Sequence, residues 1–294
     1  MGQIGTDNNL MGILCFAVGM FLFSAVDTMA KFLTTDFHPV QVAWGRQVGM
    51  FLGVLVLFAI RGPNLFRSAA PFLQIGRGVF AACSALLFIM AVAVVPLADA
   101  AAVSFVAPFI VTVLGALILK ESVGIRRWSA IVIGFLATLI IIRPGLGVFD
   151  PAIFLVVIAA TFYAGRQILS RILSGSDSTE TTIAYTAVAA FTVLTLPLPF
   201  VWATPESWQH LGLFLLLTLL AGAAEVFVIR SLELAQAVVL APVHYTIIIW
   251  GTFYGWIVFG QLPDGWTWLG AGIIFVTGIY LIRREYSLGR RGLK

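Results

Sequence analysis

WSAIVIGFLATLIIIR, residues Trp128–Arg143, returns 140 residues later as WLGAGIIFVTGIYLIR, residues Trp268–Arg283. Each run opens on Trp, closes on Arg and holds no charge in between. The same offset pairs Ala101 with Ala241, Val103 with Val243, Thr112 with Thr252, Gly115 with Gly255, Phe135 with Phe275 and Leu33 with Leu173. Phe23 faces Tyr163, and Lys31 faces Arg171, as chemical equivalents. A sustained self-match at one offset marks an internal repeat, so the chain divides into two related units, 1–145 and 146–294.

Working outward from these runs, a helix needs about 20 apolar residues to cross the hydrocarbon core of a bilayer. Runs near that size lie at 10–33, 40–60, 72–95, 99–119 and a short one at 128–143, then at 152–173, 180–201, 210–231, 237–259 and 266–282. Turn signals separate them: Asp36-Phe37-His38-Pro39, Arg61-Gly62-Pro63-Asn64, Arg143-Pro144-Gly145, Ser174-Gly175-Ser176-Asp177, Thr204-Pro205-Glu206 and Leu262-Pro263-Asp264-Gly265. Only the Val95-Pro96 corner divides spans 3 and 4. The predicted fold is therefore all-α and polytopic, with ten transmembrane helices. Five spans per unit is an odd number, so the two units sit upside down relative to each other, the inverted repeat of many secondary transporters.

Composition agrees. The chain is 61% hydrophobic and 10% charged, against about 25% charged in soluble domains, which excludes an ordinary soluble protein. The pI near 9.3 reflects orientation rather than nucleic acid, because the basic residues gather at span ends. With both termini cytoplasmic, that side holds Arg61, Arg67, Lys120, Arg126, Arg127, Arg171, Arg230, Arg283, Arg284, Arg290, Arg291 and Lys294. The opposite side holds Lys31 and Arg143. This asymmetry follows the positive-inside rule and gives the orientation; the expected location is a cell inner membrane, with multiple passes. Cys15 and Cys83 lie inside apolar runs, as small buried hydrophobes do.

Arg46, Arg77, Arg166, Asp27, Glu225 and His244 lie within spans. An ionisable group in hydrocarbon costs several kcal/mol unless it meets a partner or water, so each of these is either half of a structural salt bridge or part of polar gates around a solute path. Helical spacing puts Phe16, Met20, Phe23, Asp27 and Lys31 on one face of span 1, and Ala160, Tyr163, Gln167 and Arg171 on the related face of span 6. Packing alone produces such faces. Their repeat relation adds a cavity reading, with Phe23 and Tyr163 at mid-depth. Candidate cavity residues are Phe23, Tyr163, Ser84, His244, Tyr245, Arg77 and Arg166; candidate gating or coupling residues are Asp27, Arg46 and Glu225. Asp27 and Arg46 have similar depth towards the outer side, while Arg77, Arg166, Glu225 and His244 form an inner layer. Spans 5 and 10, nearly free of interior polar groups, read as lipid-facing supports. Gly45, Gly49 and Gly53 in span 2, and Gly251 with Gly255 in span 9, are spaced for close helix approach.

The alternatives are a membrane-embedded enzyme and a structural membrane protein. The three histidines, His38, His210 and His244, are scattered, and no H-E-x-x-H, G-x-S-x-G or Walker A pattern is present. No metal, cofactor, nucleic acid or ATPase subunit is expected. The partners are the lipid bilayer and a small-molecule substrate.

The closing stretch carries a family likeness: Ala241-Pro242-Val243-His244-Tyr245, Trp250, Tyr254-Gly255-Trp256, Phe259-Gly260-Gln261-Leu262-Pro263-Asp264, Trp268-Leu269-Gly270 and Arg283-Arg284-Glu285. Its first-half counterpart is Ala107-Pro108-Phe109, Leu119-Lys120-Glu121 and Trp128. Over its whole length the chain resembles the ten-span EamA-type exporters of the drug/metabolite transporter superfamily. The aromatic-amino-acid exporters are nearest in overall texture. The resemblance implies export of small metabolites, often amino acids, by alternating access. It also implies an acidic residue after the ninth span, as Glu121 follows the fourth, where this chain has Gln261.

Overall fold

The computed structural model describes residues 6–120, 125–142, 150–173, 177–235, 240, 243–244 and 246–291. Span 1 is the helix Thr6–Leu33, span 2 Pro39–Arg61 and span 3 Pro71–Val92. Span 4 is broken into Leu97–Ser104 and Ala107–Ile118, and span 5 is Ile125–Ile142. In the second half, span 6 is Ile153–Leu173, span 7 Thr179–Thr195, span 8 Trp208–Leu234, span 9 Thr246–Phe259 within the described residues, and span 10 Gly265–Arg291. Seven of these elements are long and apolar enough to cross a bilayer, and Ile131–Ile142, Thr246–Phe259 and Gly265–Tyr280 are shorter apolar helices. Together they make the ten predicted spans, with no strand among the described residues. The expected 145/146 boundary lies outside the described residues, as do Glu121, Arg143, Ala241 and Pro242.

The turn signals become caps. His38 Nδ1 accepts from Val40 N–H at 3.3 Å, Ser178 from Thr181 N–H at 3.1 Å, Ser207 from His210 N–H at 3.1 Å and Asp264 from Thr267 N–H at 2.8 Å. Each satisfies a donor that the first helical turn leaves open. Span 9 ends with Gly260 at φ 64°, its N–H on Trp256 O and the Gln261 N–H on Gly255 O, a close of the αL type. At the repeat-equivalent position Lys120 has φ 54°. Both halves thus turn out of their fourth span through a left-handed residue.

Packing repeats the same relation. Span 1 lies along span 8 as span 3 lies along span 6; span 2 meets span 8 as span 7 meets span 3; span 1 meets span 9 as span 6 meets span 4. Spans 2 and 7, 4 and 9, and 5 and 10 each pair with their own counterpart. Exchanging the halves maps each of these contacts onto another of the set or onto itself, as two inverted five-helix repeats require. The fold is an all-α, polytopic 5+5 membrane bundle. With an even number of spans, span 1 begins and span 10 closes at the same end of it, here called the terminal end; the other is the far end.

Two small-residue series resolve differently. A Cβ on Gly49 would fall on the Thr218 carbonyl oxygen, and one on Gly45 would meet the Phe214 ring at 2.9 Å, whereas Gly53 faces open space. In span 9, Gly251 and Gly255 have only ordinary clearances. Close approach is therefore real between spans 2 and 8 and absent at Gly53. Cys15 and Cys83 are free and half-buried.

At the terminal end, the loop after span 6 clasps the loop before span 3. The Asp177 carboxylate accepts from the Ser68 hydroxyl, from Gln74 Nε2 at 2.7 Å and from Ala69 N–H at 2.9 Å; Gln74 Nε2 also donates to Thr182 Oγ1 at 3.0 Å. The Ser68, Gln74 and Ala69 donors hold this carboxyl below its ordinary value of 3.8. A lowered folded-state pKa contributes stability above the unfolded pKa and loses it as pH falls through the folded one. Asp177→Asn should therefore melt lower than the wild type at pH 7, by at most about 1 kcal/mol because water screens this loop. The gap should close as pH falls below about 4 and the carboxyl takes up its proton. A gap that stays constant across a pH series of melting curves would exclude ionisation as its source.

Candidate functional site

Towards the far end, Arg46 Nη1 and Asp27 Oδ1 meet at 2.7 Å, with side chains only 19% and 10% exposed. The Arg46 guanidinium also lies over the Phe23 ring, 5.5 Å from its centroid. Span 1 therefore presents an aromatic ring at mid-depth with a paired charge directly above it. Phe23 packs in the same cluster as buried Phe16 and Met20, with Val243 and Trp250 from span 9. The face read from helical spacing is an inward-facing stripe between spans 1 and 9.

Span 6 supplies the related arrangement in the other half. Arg166 lies over the Tyr163 ring at 5.1 Å, and Gln167 Nε2 donates to Tyr163 Oη at 3.3 Å. Arg166 Nε is buried and has no acceptor among the described residues. Arg77 Nε donates to Ser170 Oγ at 2.7 Å and Arg77 Nη1 to Thr186 Oγ1, so this arginine ties span 3 to spans 6 and 7. Arg166, Glu225 and Tyr163 all lie within electrostatic range of Arg77. Spans 3, 6 and 8 thus gather two guanidiniums, one carboxylate and one phenol towards the terminal end.

His244, expected in the same layer, stands apart from them. Its ring packs between Phe16 at 6.1 Å and Phe105 at 6.0 Å, an aromatic setting between spans 1, 4 and 9. The Ser84 hydroxyl donates to the Ala159 carbonyl at 2.9 Å, so in this state it joins spans 3 and 6. Tyr245 lies outside the described residues.

Lys31 departs from the reading that counted it with the loop charges. It is 6% exposed; its ammonium donates to Val95 O at 2.6 Å, lies 5.3 Å from the centre of the Phe259 ring and is within electrostatic range of Asp99. A long flexible stem lets an ammonium near a span end reach a free carbonyl, and the Pro96 corner provides one. Gln41 was also missed. Its amide donates to Ala203 O at 2.7 Å and accepts from Ala203 N–H at 2.9 Å, stapling span 2 to the 7–8 loop. A buried Gln facing an apolar run was the only sequence signal, and it names no partner.

Comparison with known proteins places these features in context. The sequence profile of the EamA-like transporter family matches residues 10–143 and again 150–284. The chain is similar to an S-adenosylmethionine uptake transporter of Rickettsia prowazekii, 26% identical over 277 residues that cover 94% of both chains. It is similar to a riboflavin transporter of Rhizobium johnstonii, 27% identical over 96% of this chain and 94% of that one. It is also similar to a pseudopaline exporter of Pseudomonas aeruginosa, 27% identical over 93% of this chain and 96% of that one.

Proposed function

Because the chain belongs to the EamA-like transporter family and is a membrane transporter of small metabolites, we propose that its solute is an amino acid or a metabolite that contains one. It moves outward across a cell inner membrane by alternating access between the halves 1–145 and 146–294, with both termini cytoplasmic. The observation that carries the substrate reading is the group Arg77, Arg166, Glu225 and Tyr163, with the Arg166 Nε donor buried and unmet among the described residues. The two guanidiniums provide donors for a solute carboxylate. Glu225 complements the solute's ammonium. Phe23 and Tyr163, already capped by guanidiniums on one side, offer flat apolar area near the midplane, where inverted-repeat carriers hold their solutes.

The amino-acid reading draws support from the S-adenosylmethionine relative, since that compound carries an amino-acid group. The exporter relative supports outward movement. Inward movement is the second reading, favoured by the uptake transporter that matches over 94% of the chain.

Purified protein in liposomes tests both readings by counterflow of labelled phenylalanine, S-adenosylmethionine and riboflavin, with and without a pH gradient. The expected result is flux of the first two, each competing with the other. Phe23→Ala and Tyr163→Ala should each lower that flux by roughly tenfold while inserting normally, since each removes contact area from the solute. Flux of riboflavin alone would overturn the amino-acid reading. Parallel loss of folded protein and of flux would return both rings to packing. Oriented vesicles with opposed gradients decide direction.

A further inference from the structure

Phe51 on span 2 and Phe191 on span 7 stack face to face, ring centroids 4.1 Å apart and planes 5° from parallel. The two positions are separated by the repeat offset of 140 residues. Each ring therefore rests on its own counterpart, a geometry that two inverted repeats allow only where their pseudo-two-fold axis passes. Phe51 lies near the middle of Pro39–Arg61 and Phe191 near the middle of the apolar stretch Thr179–Phe200, as an axis in the membrane plane demands. Spans 4 and 9, and spans 5 and 10, also pair with their counterparts, and continue the same axis across the bundle.

We infer that the Phe51–Phe191 stack is the fixed pivot of the transport cycle, and that the two phenylalanines are positioning residues for alternating access. When inverted halves exchange conformations, a half-turn about the axis relates the two end states. A contact away from the axis at one end is replaced by its counterpart at the other end. A contact on the axis maps onto itself and persists throughout. The Gln74–Thr182 bond at the terminal end lies off the axis: its counterpart positions, Phe214 and Val42, are at the far end. The Phe51–Phe191 stack is of the second kind. Trp44 lies against Phe191 at 5.6 Å, and its indole N–H donates to Thr195 Oγ1 at 3.0 Å, a further link between the same two spans.

The inference rests on alternating access and on no particular solute, so its test needs none. In a Cys15→Ala, Cys83→Ala background, Phe51→Cys with Phe191→Cys is joined by a short bifunctional thiol reagent in one protein, and Gln74→Cys with Thr182→Cys in another. Hydrogen–deuterium exchange is read at the 2–3 loop and the 7–8 loop, linked against unlinked protein of the same sequence. Linking positions 51 and 191 should leave exchange at both ends within about twofold of the unlinked protein, because pivoting continues. Linking 74 and 182 should slow exchange at the terminal end by about tenfold or more, because that end can no longer open. Strong protection from both links, or from neither, overturns the pivot. Loss of solute flux without these exchange patterns concerns the substrate reading alone.

Discussion

Arg46→Leu is expected to cost the folded protein roughly 3–5 kcal/mol, and Asp27→Asn a comparable amount, whereas the double replacement should cost clearly less than the two combined. The pair lies at 2.7 Å with both side chains largely shielded. Removing one partner strands the other charge away from bulk water, while removing both takes away the desolvation cost along with the attraction. Arg46→Leu also forfeits the contact over Phe23, worth about 0.5–2 kcal/mol, so the two single changes need not be equal. The coupling between them is the informative quantity, measured by denaturation of purified protein in detergent. Strictly additive changes would show that the ion pair contributes nothing. Asp27 and Arg46 belong to spans 1 and 2 of one half, so a gating role requires those two spans to part during the cycle. Altered labelling of mid-depth cysteines in the double mutant would register that movement, and unchanged labelling would leave the pair as scaffold.

Gly49→Ala is the second large effect. Its added Cβ would fall on the Thr218 carbonyl oxygen, and backbone cannot swing aside as a side chain does. Thr218 is held in place, its hydroxyl donating to Gly45 O at 2.9 Å. Spans 2 and 8 must therefore separate, at a cost of about 1–3 kcal/mol. Gly45→Ala meets only the edge of the Phe214 ring and should cost less. Gly53→Ala meets nothing and should be neutral or mildly stabilising, by up to about 1 kcal/mol from helix propensity. Melting temperatures in the order Gly49→Ala, Gly45→Ala, Gly53→Ala, lowest first, would support this account. Equal melting temperatures for the Gly49 and Gly53 variants would refute it.

These glycines mark where sequence reading stops. All three share one spacing, yet only Gly45 and Gly49 touch span 8. Spacing fixes which residues share a helix face, but the crossing point fixes which of them are pressed. The inner layer divides in the same way. Arg166 and Glu225 lie within electrostatic range of Arg77, while His244, of similar depth, is turned between Phe16 and Phe105 by the azimuth of span 9. Lys31 sits where a flanking charge is expected, yet it is buried on a carbonyl freed by a corner on another span.

Ten spans, two repeats and their inversion were determined by the sequence alone. Hydropathy, an offset of 140 residues and the parity of five are properties of a linear chain, and each is repeated enough times to outweigh chance. Only the tertiary structure decided the pairings. It joined Asp27 to Arg46 and Lys31 to Val95, gave Arg77 the Ser170 and Thr186 hydroxyls, and laid Phe51 on Phe191. Each of those contacts depends on the rotation and crossing angle of two helices distant in sequence. Those angles are set by the summed packing of whole faces, which no single motif encodes.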